Sequence, residues 1–418
     1  MKLFIMLISL LFFLVIILYL LPPSKVNFSD IYTKNDKASE SLKEFQSRKT
    51  KLLNINGVEW KYYRGGNGDK TILFLHGMGG SYDIWWQQIN AFEKEYQVLS
   101  YTLPKEITTL EQVANGIKEI TKIENIDTFY AVGTSMGGYI TQYLIQQIPN
   151  RLEKVVLSNT FPPNNLIQTE NKKKAKIVPY LPEFVLSKLA LKQVDKKLVP
   201  AARNSELLAA FLPSIPFSKK QFINRYAVVV DVFNADTKTY KIKRIPKLII
   251  ESNNDPLVQK SLRDHLKKLY LDAEVYTFDN EGHFPYISNA QKYNSILSEF
   301  FNSKNEYLQV EKTIKNYFKG RKNADISLLN NVFNKEAKLT TVQNDKPIQI
   351  SLENYLQKVE QSGKTSSKTE ILDGNINQTI AQFSTKFTYP DKTYIDYLNL
   401  VKTDKDWKIT NKTFVQLN

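Results

Sequence analysis

The pattern of apolar and polar positions divides the chain into four stretches. Leu3 to Leu21 is a run of 19 positions filled by Leu, Ile, Phe, Val and Met, broken only by Ser9 and Tyr19. At about 1.5 Å per residue a helix of this length approaches the ~30 Å of a bilayer's hydrocarbon core. Lys2 precedes the run and Pro22-Pro23 stop it. A cleaved signal normally carries a shorter apolar region of about 7–15 residues and a small-x-small site, and neither is present. Residues 1–24 are therefore expected to be an uncleaved membrane anchor through residues 3–21. Lys2 and the free amine favour an inside amino terminus, with the domains outside the cytoplasm. The alternative is secretion after signal cleavage. Residues 25–50 are polar and charged and read as a tether with one helix.

Residues 52–301 alternate short β-rich runs with helical patterns. Leu52–Asn56 and Val58–Tyr63 flank Asn56-Gly57, a strong hairpin signal. Thr71–His76, Tyr96–Leu103, Thr128–Val132, Lys154–Ser158, Lys247–Ser252 and Glu274–Phe278 are further runs, and Ile140, Leu144 and Ile148 recur at helical spacing. This alternation predicts an α/β fold for residues 51–303, a doubly wound and mainly parallel sheet with helices on both faces. The stretch from about 161 to 240 is helical and punctuated by prolines, which predicts an inserted cap. From 305 to 418 the grammar changes. Val310, Ile314, Tyr317 and Phe318 form a helical stripe, and Leu328, Leu329, Val332 and Phe333 suggest a second helix. Ala381, Phe383, Thr385, Phe387 and Tyr389 then alternate as a strand, followed by Tyr394–Val401 and by Trp407 with Ile409. Helices followed by antiparallel strands predict a separate α+β domain.

Composition narrows the chemistry. The 418 residues hold no cysteine, which excludes disulfides, thiol nucleophiles, thiolate metal sites and iron–sulfur clusters. No cofactor and no metal are expected. The net charge of +15 comes almost entirely from lysine, and only eight of the 57 basic residues are arginine. Base-reading proteins rely on arginine forks, so no nucleic-acid partner is expected. The densest basic run, Lys172-Lys173-Lys174 with Lys176, reads as a solvated face or as contact with an anionic membrane surface.

The residues that carry chemistry lie at the ends of the expected strands. Gly133-Thr134-Ser135-Met136-Gly137 follows one apolar run and opens a helix, the context that G-x-S-x-G requires. A serine on so sharp a turn has strained backbone angles, and Gly133 and Gly137 remove the side chains that would collide there. Ser135 is the expected nucleophile. His76-Gly77-Met78-Gly79-Gly80 ends an earlier strand, with Gly77 and Gly79 as loop glycines. The amides of Met78 and Met136 are the expected oxyanion donors. A serine hydroxyl needs a base. Of the three histidines, His76 sits in the oxyanion loop, His265 lies in a charged helix, and His283 follows the last strand. His283 is the expected base, and Asp255, after the strand Lys247–Ser252, is the expected acid that orients it. Trp85 and Trp86 are candidates for an apolar acyl pocket or for the core.

These segments, in the chain order Ser, Asp, His, resemble the α/β-hydrolase superfamily over roughly residues 52–301. Leu157-Ser158-Asn159-Thr160-Phe161, Val178–Leu186 and Gly282-His283-Phe284-Pro285-Tyr286 are similar to the maspardin family. That family has asparagine where this chain has His283 and is regarded as non-catalytic. The superfamily resemblance implies a serine hydrolase acting on an ester, amide or thioester acyl substrate; the maspardin resemblance implies a binding protein. Residues 309–414 resemble the nuclear-transport-factor-2-like superfamily, and within it the putative lumazine-binding family. The likeness lies in Ile314–Gly320, Phe333–Leu339, Ile350–Leu356, Asp396-Tyr397-Leu398 and Trp407–Phe414. It implies a cone of curved sheet and helices, often dimeric, hence a homodimer through this domain. Asp396 and Tyr394 read either as pocket residues or as ordinary strand residues.

Overall fold

The computed structural model describes residues 2–34 and 36–417, with the side chains of Lys2, Leu3, Ile5, Ile8, Leu11 and Val15 outside the described set. The chain divides into two compact units, Met1–Thr237 with Ile245–Asn302, and Lys238–Arg244 with Ser303–Asn418.

Among the described residues of the first unit, eight strands form one sheet: β1 (Lys51–Ile55), β2 (Val58–Gly65), β3 (Thr71–Leu75), β4 (Gln97–Thr102), β5 (Phe129–Thr134), β6 (Leu152–Ser158), β7 (Lys247–Ser252) and β8 (Glu274–Phe278). Their order is β1-β2-β4-β3-β5-β6-β7-β8. The β2 strand runs antiparallel to both β1 and β4, and every other neighbouring pair is parallel. The β1–β2 hairpin turns through Asn56 and Gly57, both at positive φ, which these two residue types tolerate best. Strands β3, β5 and β7 are buried at every position, as parallel strands covered on both faces must be. Strand order reverses between β3 and β5, and the carboxyl ends of strands at such a switch point are where α/β sheets place their sites.

Trp85 and Trp86 are fully buried and belong to the core. Trp85 stacks on Tyr286 at 4.4 Å between ring centroids, and Trp86 packs on Phe211 at 4.8 Å. The segment expected to be a tether is packed as well. Its helix Lys37–Ser47 opens with a capping box at Asp36 and buries Leu42 and Phe45 completely, with the Phe45 ring against Tyr63.

Between β6 and β7 lie the helices Leu166–Ile177, Glu183–Gln193, Glu206–Ser214 and Lys219–Val230, in the stretch expected to be a cap. The amino-terminal helix spans Lys2–Leu20. Its described side chains are exposed at every helical angle, among them Phe4, Leu7, Leu10, Phe13 and Leu20. The transmembrane expectation is not supported. Among the described residues no helix is long and apolar enough to cross a membrane. The last turn of the amino-terminal helix is engaged by the cap. The Tyr19 hydroxyl donates to the Tyr180 carbonyl, and the Lys219 ammonium lies 5.8 Å from the Tyr19 ring.

In the second unit the helices Glu306–Asn323, Ile326–Val332 and Leu352–Ser362 accompany a curved sheet. Its strands are β9 (Phe333–Gln343), β10 (Lys346–Ser351), β11 (Lys368–Asn377), β12 (Ile380–Thr388), β13 (Thr393–Lys402) and β14 (Trp407–Leu417), ordered β10-β9-β14-β13-β12-β11. Register shifts in β11 and β13, and between β14 and β9, bend the sheet. Ile314, Tyr317, Phe383, Leu398 and Trp407 fill its core. The strip Lys238–Arg244 joins this unit by its own contacts: the Tyr240 hydroxyl donates to Glu311 at 2.7 Å, and Arg244 pairs with the same carboxylate at 2.9 Å.

Candidate active site

The site begins with one residue of strained backbone. Ser135 has φ +53 and ψ −120, between the last residue of β5 and the helix Met136–Gln147. Such a conformation costs a non-glycine residue on the order of 1–3 kcal/mol and persists only where neighbours enforce it. The glycines allow the approach. A Cβ on Gly133 would stand 2.2 Å from the Gly137 carbonyl oxygen, and one on Gly137 would stand 2.1 Å from the Leu75 oxygen. Gly77 brings the loop after β3 against the serine, with its Cβ position 3.2 Å from that of Ser135. Gly79 has open space and no such constraint. The conformation is held by Ser135 N donating to the Ser158 carbonyl at 2.9 Å and by the Thr160 hydroxyl donating to the Ser135 carbonyl at 2.6 Å.

Two loops at the same end of the sheet supply the other candidates. Asp255 follows β7 and His283 follows β8, and both are buried. His283 Nδ1 lies 2.8 Å from Asp255 Oδ2 and 3.0 Å from Oδ1. Oδ1 also accepts from the amides of Leu257 at 2.8 Å and Val258 at 3.1 Å. Burial pushes the Asp255 carboxyl up, but His283, Asn159 and the Leu257 amide together hold it below the usual range. It is therefore a carboxylate at neutral pH, and the proton on Nδ1 of His283 is the one that satisfies it. This tautomer leaves Nε2 as a free acceptor. Among the described residues no hydrogen bond joins His283 to Ser135.

Asn159 links these parts. Its side-chain amide donates to Asp255 Oδ2 at 3.0 Å and to the Gly282 carbonyl at 3.2 Å. It adjoins Ser158, the residue that receives the Ser135 amide, and its own φ of +42 turns the side chain back to the β7 and β8 loops. The sequence pattern assigned Asn159 no role; a single asparagine after β6 carries no signal until the ends of three strands are brought together.

The loop after β3 is held from behind. His76 is fully buried. Its Nδ1 is 2.7 Å from the Gly77 carbonyl, and its Nε2 accepts the Leu103 amide at 2.9 Å, which fixes the Nδ1–H tautomer. Burial, and then the neighbouring Arg225, hold its pKa well below the ordinary value of 6.5, so it is neutral. The Gly77 carbonyl also accepts the Gly80 amide at 3.0 Å. A trans peptide places C=O and N–H on opposite sides, so an inward Gly77 carbonyl turns the Met78 amide outward. Arg225, on the cap helix Lys219–Val230, donates to the carbonyls of Met78 at 2.7 Å, Gly80 at 2.8 Å and Leu103 at 3.1 Å. It is 1 % exposed, and burial lowers its pKa from the usual guanidinium range. Among the described residues neither the Met78 nor the Met136 amide donates to a protein acceptor. Met136 is the first residue of its helix, where backbone N–H groups are left free.

Other candidates fall elsewhere. His265 is exposed on the helix Lys260–Leu269. Asp396 is buried in the second unit, bonded to the Tyr317 hydroxyl at 2.6 Å and paired with Lys412 at 3.0 Å, whereas Tyr394 bonds Gln416 at the surface. Among the described residues no cluster of His, Asp and Glu is arranged to hold a metal ion.

Residues 70–290, more than half of the chain, match the alpha/beta hydrolase fold family. The chain belongs to that family. Residues 305–415 match the family described as "Putative lumazine-binding", which accounts for the second unit and its nuclear-transport-factor-2-like sheet. Maspardin of Danio rerio is 24% identical over 232 residues, covering 54% of this chain and 72% of that protein. The dihydrolipoyllysine-residue acetyltransferase component of the acetoin cleaving system of Cupriavidus necator is 29% identical over 128 residues, 29% of this chain, and the chain spans 34% of that protein's length. A solved hydrolase from Pseudomonas aeruginosa has 18% identity and a TM-score of 0.53, covering 62% of this chain and all of that one. At this identity the likeness is one of fold.

Proposed function

We propose that this alpha/beta hydrolase is a membrane-associated serine hydrolase that cleaves an ester, amide or thioester through an acyl-Ser135 intermediate. The observation that carries the reading is the buried His283–Asp255 pair, 2.8 Å apart, at the sheet end where Ser135 is held in a strained turn. His283 Nε2 takes the Ser135 proton as Oγ attacks the acyl carbon and returns it to the leaving group. Water then attacks the acyl-enzyme, with the same base accepting its proton. Asp255 stabilises the imidazolium formed in each half. The Met78 and Met136 amides receive the oxyanion; losing one such donor costs about 3 kcal/mol of transition-state stabilisation. Membrane association rests on the uncovered apolar surface of the helix Lys2–Leu20.

A fluorophosphonate probe tests the reaction directly. Wild-type protein should be labelled covalently and Ser135→Ala should not. Folded wild-type protein that resists the probe would instead favour the non-catalytic binding role that the maspardin resemblance implies. The pairing of His283 with Asp255 argues against that role, because a neutral asparagine at this position could not accept the proton.

A further inference from the structure

We propose that the outer face of the cap is a docking surface for an anionic lipid bilayer, and that it presents the site to acyl substrates dissolved in that bilayer. The substrate clause rests on the hydrolase reading; the docking clause does not. Three observations converge on this face. The first is apolar exposure beside an apolar helix. Ile177 is 58%, Tyr180 77% and Leu189 53% exposed on the cap, and the Tyr180 carbonyl receives the hydroxyl of Tyr19 from the last turn of the helix Lys2–Leu20. Ser24 N also donates to Ser187 Oγ, at 3.3 Å, on the helix Glu183–Gln193 that carries Leu189. These two hydrogen bonds set the end of the apolar helix beside the exposed apolar side chains of the cap, and exposed apolar groups gathered in one place mark an interaction site.

The second observation is charge. Between residues 166 and 197 the chain has eight lysines against three carboxylates, and no arginine. Lys172, Lys173, Lys174 and Lys176 are exposed on the helix Leu166–Ile177, which buries no residue, and Lys188 and Lys192 flank Leu189. Lysine stems can lie along the apolar layer while their ammonium groups reach anionic headgroups. A partner with an apolar interior and an anionic boundary matches both features, as nucleic acid or an acidic peptide does not. The third observation is the other side of the cap. Ala201 accepts the Asn254 side chain beside Asp255 at 2.7 Å, and Arg225 holds the loop of Met78. The cap thus lies between the proposed lipid contact and the candidate site.

The test uses the full chain and a reporter at the surface. Trp60, Trp85, Trp86 and Trp407 are buried, so Tyr180→Trp adds the one exposed indole. On vesicles containing brominated phosphatidylglycerol its emission should be strongly quenched. On brominated phosphatidylcholine, or with Lys172, Lys173, Lys174 and Lys176 all changed to Glu, quenching should be largely lost, as should the response at high salt. Indole emission that is indifferent to the vesicles overturns the docking surface. Equal quenching on both lipids, unchanged by the four substitutions, overturns the anionic recognition and leaves only the apolar helix as the contact. Turnover is read separately. Phosphatidylglycerol vesicles should raise hydrolysis of a long-chain ester and not of a short-chain one, and the four substitutions should remove the rise. Equal turnover with and without vesicles overturns the substrate clause. Absence of hydrolysis on every ester together with an unreactive Ser135 overturns the hydrolase reading, while the quenching result stands.

Discussion

The strain at Ser135 and the pairing of His283 are maintained by side chains that take no part in the proposed chemistry, and Asn159 bears on both. Removing its amide leaves Asp255 Oδ2 with one donor fewer and frees the Gly282 carbonyl. Asn159→Ala should slow fluorophosphonate labelling by about 10–100-fold, since a displacement near 1 Å at such a site costs about 10²-fold, and should cost about 1–3 kcal/mol of stability. Labelling at the wild-type rate would show that the histidine holds its position without this residue. His283→Gln should be far more damaging, lowering kcat by roughly four orders of magnitude or more, because the remaining rate comes from the oxyanion donors and binding alone. Unchanged turnover would remove His283 from the mechanism. The contrast explains what was legible in the sequence. Ser135 announces itself because its glycines fall in one pentapeptide: Gly133 is forced by the Gly137 carbonyl four residues on, while Gly137 is forced by the Leu75 carbonyl of the neighbouring strand. His283 and Asp255 follow from strand ends and a short census of histidines. Asn159 and Arg225 are invisible by those means, since their partners are from 96 to 147 residues away.

At the scale of elements the cap helix Lys219–Val230 is tied to the loop after β3 by one guanidinium. Among the described residues Arg225 pairs with no carboxylate, and its guanidinium is met by three carbonyls, which holds the peptide after Met78 and the one after Gly80. Arg225→Met should lower kcat by about 10–100-fold with KM little changed, on the same scale as losing one oxyanion donor, and Arg225→Lys should recover part of the loss. A variant with raised KM and intact kcat would show that the residue shapes the cap and not the loop. In the second unit β13 and β14 bury a pair, Asp396 and Lys412, at 3.0 Å. Lys412→Met alone strands a buried carboxylate and should cost about 3–5 kcal/mol, whereas Asp396→Leu with Lys412→Met should be close to neutral. Calorimetry of the full chain separates the two outcomes, and equal losses in the single and double variants would refute the argument. The elements themselves were unevenly readable. The buried strands β3, β5 and β7 stand out as apolar runs, and β12 alternates cleanly. β10 and β11 are edge strands: β10 is short, with only Ile348 and Ile350 alternating half-buried, and β11 buries only Gly374, so little alternation marks them. The strip Lys238–Arg244 reads as the end of the cap and belongs to the second unit, because Glu311, its partner, lies about 70 residues further on.

Over the whole molecule the titratable groups are distributed unequally, and this bears on acid stability. All three histidines lie in the first unit, and the second has none. His76 has a folded pKa well below its ordinary 6.5. Above that value both folded and unfolded forms are neutral and no energy is at stake. As pH falls below it the unfolded chain takes a proton that the folded chain refuses, so stability is lost at up to about 1.4 kcal/mol per pH unit. The carboxylates with depressed values act in the same direction but lower. Asp255, from 3.8, and Glu311, from 4.5, stabilise the folded units above those values and lose that contribution only as pH falls below them. Between pH 7.5 and 5.5 the first unit alone should therefore weaken. Scanning calorimetry of the full chain should show its transition moving down by roughly 3–6 °C over that interval, as expected for a domain of about 250 residues, while the transition of the second unit stays in place. His76→Gln keeps an acceptor for the Leu103 amide and removes the titration, so in that variant the interval should shrink to near zero. A shift shared by both transitions, or one that survives in His76→Gln, would place the acid sensitivity elsewhere than in the buried imidazole behind the Met78 loop.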